Sequence, residues 1–259
     1  MLKAIKQYLL KPSLFLLLIT FIGKSAFLLS NFKQVENESF TEIIQLFTNS
    51  FSLDIATISY ILLIPTLAIL IQAFIKRVNF AYAFCLIYFT FISILTITIN
   101  IIDIKLFSYW TSKTSAKALQ FLNTPSFAIK SAGKFNVLLL GLLIILLGVT
   151  SYYILKKLMK KIPLSNLKIF PSFMGSLLVI GVLILGLRGG LREIPINQSD
   201  AYYSSNLVLN VAGVNSLWNF GNVLFQNQNS LTENPYKTMS HEKANQVFNK
   251  LYITPKDTT

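Results

Sequence analysis

Five long apolar runs dominate this chain and fix what it can fold into. They lie near 14–32, 53–75, 80–102, 137–155 and 171–188. Each approaches the roughly 20 residues that an α-helix needs to cross about 30 Å of hydrocarbon. Charged residues are only 13% of the chain and sit mostly in the gaps between runs. A soluble domain needs charge spread over its surface, so the pattern predicts an all-α membrane protein with about five transmembrane helices.

Two of the runs carry local complications. Lys3, Lys6 and Lys11 precede the first, and Ser25 and Ala26 lie inside it. That arrangement also fits a signal peptide, but the apolar run continues past Ala26 and favours a first span. Pro65 falls inside the second run. It would loosen a helix there, which a bundle tolerates when a neighbour satisfies the freed carbonyl.

Basic residues predict the orientation. The N-terminus, the gap at Lys76 and Arg77, and the gap holding Lys156, Lys157, Lys160, Lys161 and Lys168 together carry ten Lys and Arg. The two opposite gaps carry six, and the first of them is acidic through Glu36, Glu38 and Glu42. The expected arrangement is a cytoplasmic N-terminus and an extracytoplasmic C-terminus in a bacterial plasma membrane. The net charge of +13 then serves orientation and contact with anionic lipid, not nucleic acid.

The chain divides into a transmembrane domain, 1–188, and an extracytoplasmic helical linker tail, 189–259. The gap from 103 to 135 is long. It is open to two readings: a short interfacial helix with Phe107, Trp110, Leu119 and Leu122 on one side and Lys113 and Lys117 on another, or a solvated loop. In the tail, Gly189 and Gly190 end the fifth helix. Ser199 or Asp200 is placed to cap a new helix that runs through Tyr203, Leu207, Val211, Val214 and Trp218 at helical spacing. Gln226 to Ser230 reads as a loop, and a last helix is expected over Ser240 to Tyr252.

Residues for chemistry are few. The single histidine, His241, and the single cysteine, Cys85, make no metal-ligand set, and no phosphate loop or Ser/His/Asp set is present. No catalytic residue and no metal site is assigned. The candidates are intramembrane charges, Lys24, Asp54 and Asp103. Lys24 either reaches the surface or pairs with Asp54, and Asp103 is placed to meet Lys105 or Arg188. Arg188 and Arg192, with Lys113 and Lys117, are candidate contacts for lipid phosphate.

The segment Arg188-Gly189-Gly190-Leu191-Arg192, then Pro195-Ile196-Asn197-Gln198-Ser199-Asp200-Ala201-Tyr202-Tyr203-Ser204, resembles the lipoteichoic acid synthase family of sulfatase-like phosphoglycerol transferases. The likeness continues through Asn210 to Asn222, and the five-span layout agrees with it. It implies that this chain anchors a catalytic domain and positions its lipid substrate, and that a phosphoglycerol or phosphoethanolamine group is transferred. A divalent manganese or magnesium ion would belong to that catalytic domain, not to these residues. The chain reaches Thr259 without that domain's Thr nucleophile or metal ligands, so the expectation is a membrane module truncated before it and inactive alone. Its expected partners are anionic lipids and a sulfatase-like catalytic domain or subunit. Two alternatives stay open: a non-enzymatic membrane scaffold that captures a partner with its tail, and a small transporter, which would need a polar path through the spans.

Overall fold

The computed structural model describes residues 2–75, 80–120, 126, 129–130, 133–162, 169–191, 193–227 and 239–252. These residues are all-α, with no strand among them. Five of the helices are long and apolar enough to cross a membrane.

The first crossing is one continuous helical run. It joins α1 (Leu2–Ile5), a π-helical turn (Lys6–Leu10) and α2 (Lys11–Ser30). The wide turn precedes Pro12, whose ring lacks an N–H and crowds the carbonyl four residues back. The second crossing, α3 (Phe40–Ile75), is 36 residues long. At 1.5 Å per residue that is about 54 Å, well beyond the roughly 30 Å of a hydrocarbon core. It begins 13 residues before the apolar run at 53, so polar Glu42, Gln45 and Asn49 are helical too. Pro65 stays inside this helix. It can give no N–H to the Ile61 carbonyl, and Tyr88 Oη donates there instead, at 2.8 Å. A neighbour thus satisfies the freed group, as the sequence led us to expect.

The third crossing is α4 (Phe80–Trp110). It continues eight residues past the predicted end at 102, and Phe107 and Trp110 belong to it, not to an interfacial helix. A short α5 (Ala116–Gln120) follows a non-helical stretch at Thr111–Ser115. Leu122 lies outside the described residues. The last two crossings are α6 (Lys134–Leu158) and α7 (Ile169–Arg188).

Helices α2, α3 and α4 form the centre. α6 packs mainly on α4, and α7 on α3. The spanning windows of α6 and α7 are only 11% and 17% buried, against 39–50% for the inner three. α7 meets α3 through Ser172, Ser176, Val179, Leu183 and Gly186, one side of the helix at seven-residue repeats. Small residues allow that approach: a Cβ on Gly186 would strike Ser59 Oγ.

One end of the bundle is rich in lysine. There Lys11 Nζ donates to Leu158 O at 2.9 Å, capping the end of α6. Tyr8, Leu155 and Met159 are fully buried beneath it. At the opposite end α7 stops in a Schellman arrangement. Gly190 N–H donates to Leu185 O at 2.9 Å and Gly189 N–H to Gly186 O at 3.0 Å. Gly189 and Gly190 take φ of +80° and +105°, which only glycine adopts without strain. The chain then folds back, and Ile196 N–H reaches Arg188 O at 3.0 Å.

The tail does not form the single helix predicted from Ser199 or Asp200. It forms a 3-10 turn (Gln198–Ala201), α8 (Leu207–Gly213) and α9 (Ser216–Gln226). Each start is capped by an asparagine, Asn197, Asn206 or Asn215, whose side chain accepts a backbone N–H. Three local caps outcompete one long helix because each satisfies N–H groups that a continuous helix would have bonded. α8 packs Val208, Leu209, Val211 and Ala212 against Phe27, Leu28, Leu46 and Phe107 at the ends of α2, α3 and α4. Burial contributes roughly 1.5–3 kcal/mol for each larger side chain, which holds the tail against the bundle. Of the stretch from Gln226 to Ser230, residues 228–230 lie outside the described residues. The last helix, α10 (His241–Tyr252), matches the expectation.

Candidate functional site

Between the docked tail and the ends of α2, α3 and α4 lies a buried polar cluster. Lys24 of α2 donates to Asp54 Oδ2 of α3 at 2.7 Å and to Ser50 Oγ at 2.6 Å. Asn215 Nδ2 donates to Asp54 Oδ1 at 2.9 Å. Both carboxylate oxygens are therefore satisfied, one by an ammonium and one by an amide.

Asp103 of α4 is fully buried. It meets neither Lys105 nor Arg188. Its Oδ1 accepts the Thr114 N–H at 2.8 Å and the Thr114 hydroxyl at 2.6 Å. These bonds turn the chain sharply after Trp110 and carry α4 past a charge that would otherwise end it. Asp103 Oδ2 has no hydrogen-bond partner.

Lys113 follows in the same turn, also buried. Its ammonium donates to Val214 O and, at 3.2 Å, to Ser216 Oγ. It sits 5.3 Å from the Phe27 ring centroid. Asn219 completes the contact by donating to Thr114 O at 2.8 Å. Burial pushes the Lys113 ammonium down to about 8. Asp103 pulls it back up, Lys24 lowers it further and Asp54 raises it. Lys113 thus senses three charged neighbours, two negative and one positive. Asp54 is engaged through both carboxylate oxygens and Asp103 through Oδ1 alone, and no group of three or more His, Cys, Asp or Glu among the described residues could hold a metal ion.

The remaining sequence candidates fall elsewhere. Lys117 is exposed on α5, and Arg188 is exposed, its Nη2 donating to Glu193 O at 2.8 Å. Arg192 lies outside the described residues. Lys113 is turned inward to the tail rather than outward to headgroups, so its ammonium is used within the protein.

Two clefts flank the cluster. One, of ≈ 230 Å³, lies under the tail and is lined by Ser112, Ser115, Gln198, Tyr202 and Asn219, with Lys113 in its wall. The other, of ≈ 320 Å³, is an apolar groove between α2 and α3 lined by Leu17, Leu18, Phe21, Phe47 and Phe51, with Lys24 and Asp54 in it.

Sequence reasoning missed Ser50, Thr114, Asn215 and Asn219. Asn215 had a legible signal: an asparagine directly before Ser216, Leu217 and Trp218 is a helix start. The chain matches no family model, no curated protein and no solved structure.

Proposed function

We propose that this chain is the membrane module of a sulfatase-like transferase of lipid headgroups, holding a catalytic domain at the membrane and positioning its phosphoglycerol or phosphoethanolamine lipid. One observation supports this above others. The segment that carries the likeness to lipoteichoic acid synthases, 188–222, is the same segment that packs onto the spans and closes the polar cluster through Asn215, Val214, Ser216 and Asn219. A substrate-positioning module needs a fixed surface beside the spans, and the packing of this segment on the helix ends supports that reading.

In this reading the lysine-rich end faces the cytoplasm of a bacterial cell and the docked tail faces outward, as the charge bias favours. The polar cluster then sits near the outer leaflet. Arg188 and Lys117 are exposed cations available to anionic lipid in this reading. A manganese or magnesium ion would serve the catalytic partner.

The test is reconstitution. The chain is placed in liposomes with fluorescent phosphatidylglycerol, a sulfatase-like catalytic domain and manganese. Release of labelled diacylglycerol should be several-fold faster with the chain than without it. An equal rate in both would remove the transferase reading and move the scaffold reading ahead.

A further inference from the structure

The polarity of α9 is inverted. Ser216, Asn219 and Val223 share one side of the helix, at i, i+3 and i+7. Ser216 and Asn219 are buried there, on the Lys113 ammonium and the Thr114 carbonyl. The other side holds Gly221, Leu224 and Phe225. A Cβ on Gly221 would meet nothing within 4 Å, and Phe225 is 77% exposed. A helix on an aqueous protein surface has the reverse pattern, with its apolar side inward and its polar side outward.

The position of α9 along the bundle is a second, separate observation. The Trp218 ring meets the Tyr60 ring edge-on, with centroids 5.7 Å apart. Tyr60 lies inside the apolar run that begins at 53, about 10 Å along α3 from that point at 1.5 Å per residue. Leu217 packs against the core cluster that holds Ile58 and Ile61. α9 therefore starts beside a membrane-crossing stretch of α3 and not beyond its end. On α3, Tyr60, Ile64, Leu67 and Ile71 form one outward stripe at helical spacing, all of them exposed. Such a stripe on a spanning helix meets lipid, and Trp218 stands at its end.

We propose that α9 is embedded in the bilayer, with its Gly221, Leu224 and Phe225 side against the acyl chains of the leaflet on the tail's side. Lipid is the occupant because this side continues the outward stripe of α3. A helix in that setting must satisfy its polar groups from within the protein. The inward side does so: Asn215 Oδ1 accepts the N–H groups of Leu217 and Trp218, and Asn219 donates to Thr114 O. The lipid-contacting surface then extends beyond the fifth crossing as far as Phe225. The inference does not rest on the transferase reading.

The full chain in nanodiscs tests it. Cys85→Ala removes the one native thiol. On that background a nitroxide is attached at Phe225→Cys, at Leu67→Cys as the lipid reference and at the exposed Glu36→Cys as the aqueous reference. Relaxation is read with oxygen, which concentrates in lipid, and with a water-soluble nickel chelate. The label at 225 should favour oxygen several-fold more than the label at 36 and match the label at 67. A nickel preference like that at 36 would overturn the proposal. Shielding from both reagents would overturn it too, because another protein surface would then cover the face.

A second measurement leaves α9 unaltered. In Trp110→Phe, Trp218 is the only tryptophan. Its fluorescence should fall several-fold in phosphatidylcholine brominated along the acyl chains, relative to the unbrominated lipid. Equal intensity in the two bilayers would overturn the proposal even where a cysteine variant fails to fold.

Discussion

Lys24 Nζ lies 2.7 Å from Asp54 Oδ2, and Asn215, from 161 residues farther along the chain, holds the other oxygen of the same carboxylate at 2.9 Å. The pair is buried, with the side chains 3% and 10% exposed. Removing one member leaves the other charged without a counter-ion in a setting of low dielectric, which costs about 3–5 kcal/mol. Asp54→Leu should therefore lower the unfolding midpoint in mild detergent markedly. Lys24→Met combined with Asp54→Leu should recover much of the loss, because neither charge is then stranded. A midpoint for Asp54→Leu equal to that of the wild type would mean that the pair carries no structural weight.

Asn215 does two jobs, and substitutions can separate them. Its Oδ1 accepts the N–H groups of Leu217 and Trp218 at 3.0 and 3.1 Å, and its Nδ2 donates to Asp54. Asn215→Ser keeps a capping oxygen and loses the Asp54 contact. Asn215→Asp keeps the cap and sets a second carboxylate against Asp54. Asn215→Ala loses both functions, about 1 kcal/mol of it from the cap alone. Hydrogen exchange across Leu207–Gln226 should quicken for Ala and Asp, and less for Ser. Equal exchange in all three would show that α9 docks without this residue.

How much of this was legible beforehand differs sharply between the spans and the cluster. The five crossings follow from apolar run length, because long apolar stretches with few charges are what a membrane-crossing helix needs. Their ends were less legible. Asp103 reads as a helix stop until Thr114, eleven residues on, supplies the N–H and hydroxyl that let α4 continue. The spacing from Tyr203 to Trp218 suits one helix, but Asn206 and Asn215 interrupt it with caps, a local competition that periodicity alone does not weigh. Lys113 looked like a headgroup contact because lysines in gaps usually are. Its burial depends on Val214 and Ser216, more than a hundred residues away, and no local pattern carries that information.

Lys113 also predicts a pH dependence. Its ordinary value is 10.5, and burial lowers it to about 8 in the folded chain. Between those two values the unfolded chain holds the proton and the folded chain does not, so stability rises with pH from about 8 to 10.5. Below about 8 both states are protonated and the folded state carries the full cost of burying the charge. The groups facing Lys113 are Asp103 of α4, Lys24 of α2 and Asp54 of α3. Unfolding of the wild type, followed between pH 7 and pH 10, should show this slope, and Lys113→Met should flatten it. A slope of the same size in Lys113→Met would assign the effect to other groups.

The two adjacent glycines that end α7 should differ in their tolerance of a side chain. Both have positive φ, so alanine is strained at either. At Gly189 a Cβ would also come within 2.7 Å of Ile196 Cβ, whereas at Gly190 nothing lies within 4 Å. Gly190→Ala should cost about 1 kcal/mol, and Gly189→Ala should cost distinctly more and displace Ile196 from its place against Leu53 and Val214. Chemical unfolding of the two variants makes the comparison. Equal losses would show that the approach of Ile196 is not tight.

The separation in chain order between the partners of Asp54 has a consequence for biogenesis. Lys24 and Asp54 are 30 residues apart, so their bond can form soon after α3 enters the bilayer. Asn215 reaches the other oxygen only after every spanning helix has been synthesised. Until then the Asp54 carboxylate of a nascent chain is held from the spans by Lys24 alone, so the polar cluster closes only at the last stage of synthesis.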